Sequence, residues 1–193
     1  MEWEAKRLGE IAITYSGGTP STSNRDYYGG EIDWITSSDL NKCLIYSVDG
    51  KITKNGLENS SAKFVRKGTL LMALYGATAG VTAITRIDAA INQAVLAIIP
   101  KRDDIGYLYE FLTYKKDWII KTYTQGGQPN LSGEIVRSLL LPLPSLQGEQ
   151  IAIAGVLSDM DTEISSLEDR LDKTRSLKQG MMQELLTGRI RLA

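Results

Sequence analysis

Two loops of this chain concentrate side chains that could touch a nucleic acid. Thr19, Ser21, Thr22, Ser23 and Asn24 crowd a glycine-started loop with Arg25, Tyr27 and Tyr28 beside it, and Gln125, Gln128 and Asn130 crowd a second. Hydroxyl, carboxamide and guanidinium groups contact phosphate oxygens and base edges, Arg pairing with guanine and Asn or Gln with adenine in the major groove. On composition alone these are ordinary loops.

Other chemistry is poorly served. The chain has no histidine and one cysteine, Cys43. Ser-His or Cys-His catalysis within it, an internal disulfide and a cysteine-based zinc site are thereby excluded. Gly76-Ala77-Thr78-Ala79-Gly80 lacks the Lys-Ser/Thr ending of a phosphate-binding loop and the third glycine of a dinucleotide fingerprint, so it reads as a hairpin turn. The Asn-Pro-Pro-Tyr type of motif that holds a flipped base in amino-methyltransferases is absent, as is a glycine-rich cofactor loop. Asp103-Asp104, and Asp159 with Glu163, lie at or on expected helices and read as solvated surface. No catalytic residue, metal or cofactor is assigned to the chain.

At 193 residues and 42% hydrophobic content, the chain can bury a real core, and its length suggests one domain plus an appendage. No apolar run approaches the ~18 residues of a membrane span, and the acidic start is unlike a signal peptide, so the expected compartment is the cytoplasm with no membrane partner. Net charge is −1; residues 1–146 carry 16 basic and 15 acidic groups, residues 147–193 carry 6 and 8. DNA binding would therefore need basic residues gathered on one face, or a partner supplying phosphate contacts.

The elements that must position these loops follow from patterning. Trp3 to Ser16 reads as extended, Ile32 to Thr36 as a buried strand, Ser37 to Leu40 as a single helical turn, and Thr53 to Ser61 as a short polar helix. Leu70 to Tyr75 and Val81 to Ile84 form a hairpin about the 76–80 turn, and Ala94 to Ile99 is a strand stopped by Pro100. Ile105, Leu108, Phe111, Leu112, Trp118 and Ile119 recur at helical spacing behind an Asp104 cap, giving one or two helices over 105–123. Strands interleaved irregularly with short helices argue for an α+β fold, without internal repeats.

The last fifth of the chain is a heptad. Leu157, Met160, Ile164, Leu167, Leu171, Met181 and Leu185 are spaced by threes and fours, with Thr174 and Lys178 as polar interruptions that would fix register. Ser145 is the expected N-cap and Gly188 the stop. At ~1.5 Å per residue, the stretch from Gln147 to Leu185 makes a rod of roughly 58 Å. Seven buried apolar seam residues at ~1.5 to 3 kcal/mol each would offer ~10 to 20 kcal/mol gross, most of it needing a second helix. The expected division is 1–144 as a globular domain, 145–188 as a coiled-coil helix and 189–193 as a tail whose Arg189 to Leu192 alternate as in an edge strand.

Trp3 to Ile11, Ser16 to Ser21, Trp34-Ile35, Tyr75 to Gly80, Asn92-Gln93, Gly127 to Ser132, Leu141 to Pro144, Glu149-Gln150 and the Leu185-to-Gly188 close occur in the order found in one family. Over essentially the whole chain, this pattern resembles the specificity subunit of type I restriction-modification systems. The resemblance implies a target recognition domain that reads one half of a bipartite site in double-stranded DNA. It also implies a helix that spaces two such domains and docks modification methyltransferase subunits, with a restriction subunit as a further partner. S-adenosylmethionine and ATP are then expected on the partners, which carry the methylation and cleavage.

A typical member carries domain and helix twice; this chain carries them once, so a homodimer through antiparallel helices is expected to restore the second half. Members share these motifs while reading different DNA, which places discrimination between the motifs. The candidates are Arg25, Asp26, Tyr27 and Tyr28, the stretch Asn41 to Tyr46 with Lys42, then Lys51, Lys54, Asn55 and Lys63. A coiled-coil assembly module without sequence reading is the alternative; a stand-alone nuclease is the third reading, with no residue constellation to support it.

Overall fold

The computed structural model describes residues 3–124 and 129–192, and the chain divides into two compact units between Ile151 and Ala152. The first begins with β1 (Trp3–Arg7), one helical turn α1 (Leu8–Ile11) and β2 (Ala12–Ser16). A 3-10 turn (Arg25–Tyr27) leads into β3 (Tyr28–Ile35), and a second (Ser37–Lys42) into β4 (Leu44–Ile45), β5 (Lys51–Ile52) and helix α2 (Lys54–Glu58). Next come β6 (Lys63–Val65), β7 (Leu70–Ala73), a third 3-10 turn (Gly76–Thr78), β8 (Thr82–Thr85), β9 (Ala89–Ile91) and β10 (Val95–Pro100). Helices α3 (Ile105–Tyr123) and α4 (Gly133–Ser138) precede β11 (Leu140–Pro144) and the long helix α5 (Gln147–Leu186).

The fold is α+β. Strands assemble as a five-stranded sheet β2-β10-β7-β8-β4, a four-stranded sheet β5-β3-β9-β6, and the pair β1-β11. Ile35, Ile45, Val65, Leu71, Ile91 and Val95 belong to one core cluster drawn from both larger sheets. Trp34, next to Ile35 and so on the opposite face of β3, packs instead with Tyr28, Ile32, Leu57, Ile52, Ala62 and Ala90. The whole of β7 is buried, which is why its sequence is continuously apolar rather than alternating. A hydroxyl pair, Thr82 Oγ1 to Thr113 Oγ1 at 2.7 Å, ties β8 to α3.

Local capping chemistry sets the helix starts. Asp104 Oδ1 accepts from the Tyr107 N–H at 2.8 Å to start α3, Thr53 Oγ1 accepts from Gly56 at 3.0 Å to start α2, and Ser132 Oγ accepts from Ile135 at 3.1 Å to start α4. Each satisfies an N–H that the helix itself leaves unpaired. Residues 105–123 form one helix, not two.

Four sequence readings need correction. Trp3 to Ser16 is not one extended run: α1 interrupts it, held by the Leu8 N–H on Leu139 O at 2.9 Å and by Glu10 accepting from the Arg7 N–H at 3.1 Å. The turn after β3 begins at Ser37 as expected but extends past Leu40 through Lys42. Helix α5 starts at Gln147, so Leu146 and not Ser145 is the residue before it; the carbonyl of Leu146 accepts the first helical N–H bonds, from Glu149 at 3.0 Å and Gln150 at 3.3 Å. Finally, Arg189 to Leu192 are not a strand. The Arg189 and Ile190 N–H groups both bond the carbonyl of Glu184, at 3.0 and 3.3 Å, behind Gly188 at φ 71°. This is a left-handed helix stop that uses the groups a ladder would need.

In the second unit, α5 brings the heptad to the surface. Leu157, Met160, Ile164, Leu167, Leu171 and Met181 are all exposed, by 39 to 57%. Thr174 bonds its own helix through Arg170 O at 2.8 Å, and Lys178 is exposed. No helix among the described residues is long and apolar enough to cross a membrane.

Candidate nucleic-acid interface

The strand registers bring distant loops to one end of the β structure. Ser16 at the end of β2 pairs with Leu96 near the start of β10, Ala73 at the end of β7 pairs with Val95, and Ile35 and Ile91 finish β3 and β9 side by side. The loops beyond these positions then lock together through the backbone. Gly17 donates to Asn92 O at 3.2 Å, Gly18 to Ile91 O at 3.2 Å, Asn92 to Ile35 O at 3.1 Å and Leu74 to Ala94 O at 2.8 Å. Gly76 donates to Pro129 O at 3.0 Å and Leu131 to Leu74 O at 2.7 Å, with Tyr75 and Asn130 bridged.

This strand-end rim carries two of the residues singled out from sequence, Thr19 and Asn130, with Lys63 beside it, whereas Lys42 sits further back, next to Cys43, whose carbonyl accepts from the Ile84 N–H opposite Leu70. Thr19 donates to Gln93 Oε1 at 2.5 Å. Asn130 is exposed beside Tyr75. Lys42, on the turn after β3, donates to Ser47 O at 2.9 Å and lies 3.9 Å from Asp39. Lys63 faces solvent on β6 opposite Ile91. Gln125 and Gln128 lie outside the described residues. Gln93 and Tyr75 were recognised only as members of motifs; the signal that raises them is spatial, since Thr19 and Gln93 are 74 positions apart.

A second group sits at the other end of β3, a strand that spans roughly 20 Å at ~3.3 Å per residue, and the Tyr28 hydroxyl ties it to the loop leaving the rim through Pro20 O. Asn24 Oδ1 accepts from the Asp26 N–H at 3.1 Å and forms the turn that carries Arg25. Helix α2 braces it from behind: Thr53 Oγ1 donates to Asp26 O at 2.9 Å, and the Thr53 N–H donates to Tyr27 O at 2.9 Å. Gly56 passes so close that a Cβ there would lie 2.5 Å from Tyr27 O. Arg25 is exposed; its backbone carbonyl accepts from the Tyr28 N–H, and its side chain makes no hydrogen bond or ion pair with the described residues. Lys54, on the same α2, is 3.7 Å from Glu58.

Other candidates are committed to the fold. The Tyr28 hydroxyl donates to Pro20 O at 2.5 Å and its ring meets Trp34 edge-on at 6.0 Å. Lys51 pairs with Asp33 at 2.8 Å, both partly exposed, a contact worth little in stability. Ser21 and Ser23 share a hydrogen bond at 2.8 Å, and Thr22 is exposed. The chemistry on offer is non-covalent: hydroxyl, amide and cationic donors. Among the described residues no group of His, Cys, Asp and Glu is arranged to hold a metal ion.

Comparison with known proteins gives a consistent family. Residues 1–174 match the family model of the type I restriction modification DNA specificity domain. The chain is 35% identical over 171 residues to the type I restriction enzyme MjaIX specificity subunit of Methanocaldococcus jannaschii, covering 86% of this chain and 39% of that protein. It is 27% identical to the EcoR124I/EcoR124II specificity subunit of Escherichia coli, covering 93% of this chain and 45% of the relative. Its fold resembles the crystal structure of the HsdS subunit from Thermoanaerobacter tengcongensis, with TM-score 0.69 at 19% identity, over 94% of this chain and 44% of the other. The chain thus spans less than half the length of the curated relatives it matches.

Proposed function

The chain belongs to the family of type I restriction-modification DNA specificity domains, and from that membership we propose that it reads one half of a bipartite DNA site. Two copies pair through antiparallel α5 helices and present two recognition domains about a two-fold axis. Methyltransferase subunits dock on the pair. They bind S-adenosylmethionine and, with a restriction subunit where one is present, carry the covalent chemistry and the ATP.

The row of exposed apolar side chains from Leu157 to Met181 carries the pairing. Such a row at heptad spacing demands a partner helix, and the charges flanking it favour one direction. Glu163 and Arg170 stand on one side of the seam, Glu168 and Arg175 on the other. In a parallel, in-register pair Glu163 would face Glu168 of the second copy, Arg170 would face Arg175, and Lys178 would meet its own copy. An antiparallel pair matches each flank with itself, so Glu163 can face Arg170, or Glu168 can face Arg175, according to register, and Lys178 is set against an apolar seam residue. Charge pairs at these positions select orientation.

The braced turn that carries Arg25 supports a base-reading role for that end of β3. A guanidinium free of internal partners on a rigid support is what bidentate reading of guanine needs. Solution mass at micromolar concentration tests the pairing: twice the chain mass is expected, and a monomer both alone and with its methyltransferase contradicts it. Replacing Arg25 with alanine tests the reading, since a changed methylated motif is expected. An unchanged motif would favour the rival, an assembly module that does not choose sequence.

A further inference from the structure

Gln93 projects from the strand-end rim as a fixed, one-sided group. Its backbone sits beside Asn92, whose N–H donates to Ile35 O, whose carbonyl accepts from Gly17, and whose side-chain oxygen accepts from Ala94 at 3.0 Å. Its side chain is exposed, yet Thr19 holds the amide oxygen. Gln93 thus keeps two N–H donors that no hydrogen bond among the described residues uses, while Thr19 engages one of the two lone pairs of its oxygen. With one acceptor site engaged and both donors unused, the group offers mainly donors. A phosphate oxygen takes donors only.

The electrostatics of the rim agree. Across residues 16–20, 36–42, 60–63, 74–80, 92–94 and 129–132 the one carboxylate is Asp39, and it is occupied by the Thr36 N–H and hydroxyl at 2.9 and 2.8 Å. Hydroxyls and amides dominate the same segments, and the exposed Tyr75 and Asn130 are bridged through their backbones. Residues 1–146 carry almost equal numbers of basic and acidic groups, so counterion release alone gives this domain a weak hold on DNA. Neutral donors can position a duplex without that term.

We propose that the rim grips the phosphodiester backbone of double-stranded DNA through neutral donors, Gln93 foremost, and so positions the half-site without choosing its sequence. This rests on the DNA-reading function proposed above and assigns its non-discriminating share to one place.

The test uses the full chain assembled with its methyltransferase, and two fluorescent duplexes of equal length, one carrying the methylated motif and one with both half-sites scrambled. Gln93→Ala is expected to weaken binding about 5- to 10-fold on both duplexes, with the salt dependence and the methylated motif unchanged. Lys42→Gln should instead lower the slope of log affinity against log salt by about 0.9 if that ammonium meets a phosphate. Gln93→Glu, which keeps the size and places a carboxylate against phosphate, should bind more weakly than Gln93→Ala; a melting curve like the wild type's shows that the variants are folded. Loss confined to the cognate duplex, or a changed motif, would make Gln93 a base reader and overturn the proposal. Loss of methyltransferase association with DNA affinity retained would make the rim a protein-docking face and overturn it equally, as would no effect at all. If the wild-type assembly does not distinguish the two duplexes, the half-site reading fails separately, and the scrambled duplex still tests the rim.

Discussion

Gly17 and Gly18 have no room for a side chain, the first against Ile91 of β9 and the second against Ser61. A Cβ on Gly17 would lie 1.8 Å from Ile91 O, and one on Gly18 would lie 1.9 Å from Ser61 Oγ and 2.6 Å from the Ser61 carbonyl carbon. Backbone cannot yield cheaply there. Gly17→Ala should cost about 3 kcal/mol or more, read as an earlier midpoint in urea unfolding of the purified chain. A second expectation concerns alkali. Burial pushes the Tyr107 phenol above its ordinary value, Glu149 adding to the effect, and burial does the same to Tyr15. Folding keeps both neutral longer than the unfolded chain does, so their contribution is intact below pH ~10 and falls as pH rises from there through the folded values. Unfolding midpoints measured from pH 9 to 11 should fall, and Tyr107→Phe should flatten that fall while losing the hydrogen bond to Pro142 O. The glycines and the Thr19 hydroxyl loop were legible as a motif; the Thr19–Gln93 pair was not, because only β9 and the turn after it bring those two segments together.

At the scale of elements, hydrophobic period and capping chemistry were readable, and tertiary hydrogen bonds were not. The 105–123 helix with its Asp104 cap, the 70–84 hairpin with its Gly-Ala-Thr-Ala-Gly turn, and the long helix stopped by Gly188 all follow from local sequence. Helix α1 does not, since it depends on Leu139, 131 positions later in sequence than Leu8. The tail failed for a related reason: its alternation is real, but the last turn of α5 takes the N–H groups first. The expected division at 144/145 falls at the end of β11, whereas the first compact unit includes the start of α5. There Gln150, 2% exposed, accepts from the Asp104 N–H at 2.8 Å and donates to Asp103 and Pro144 O. The seam yields its own prediction. Thr174→Leu with Lys178→Leu should stabilise the paired state by about 1 to 3 kcal/mol while admitting additional registers. The checks are concentration-dependent melting and cross-linking between cysteines placed along the exposed face of α5. Lower pair stability in the double variant would show the seam to be drawn wrongly.

On the function proposed above, one chain joins a DNA-reading domain to a spacing helix. Its balanced charge and its lack of histidine were evident from composition, and they direct attention to neutral hydrogen-bonding surfaces instead of a basic face or a reactive centre. The two ends of β3, one carrying Arg25 and the other the strand-end rim, could not be told apart in sequence, because strand direction and register decide which loops meet. Two identical copies paired antiparallel, as proposed, would read the same half-site twice, in opposite orientations. Sequencing the methylome of cells that carry this chain with its methyltransferase as their sole type I specificity component tests that most directly. One interrupted palindrome with a fixed spacer is expected; a bipartite motif with two different halves would contradict the antiparallel pairing of identical chains.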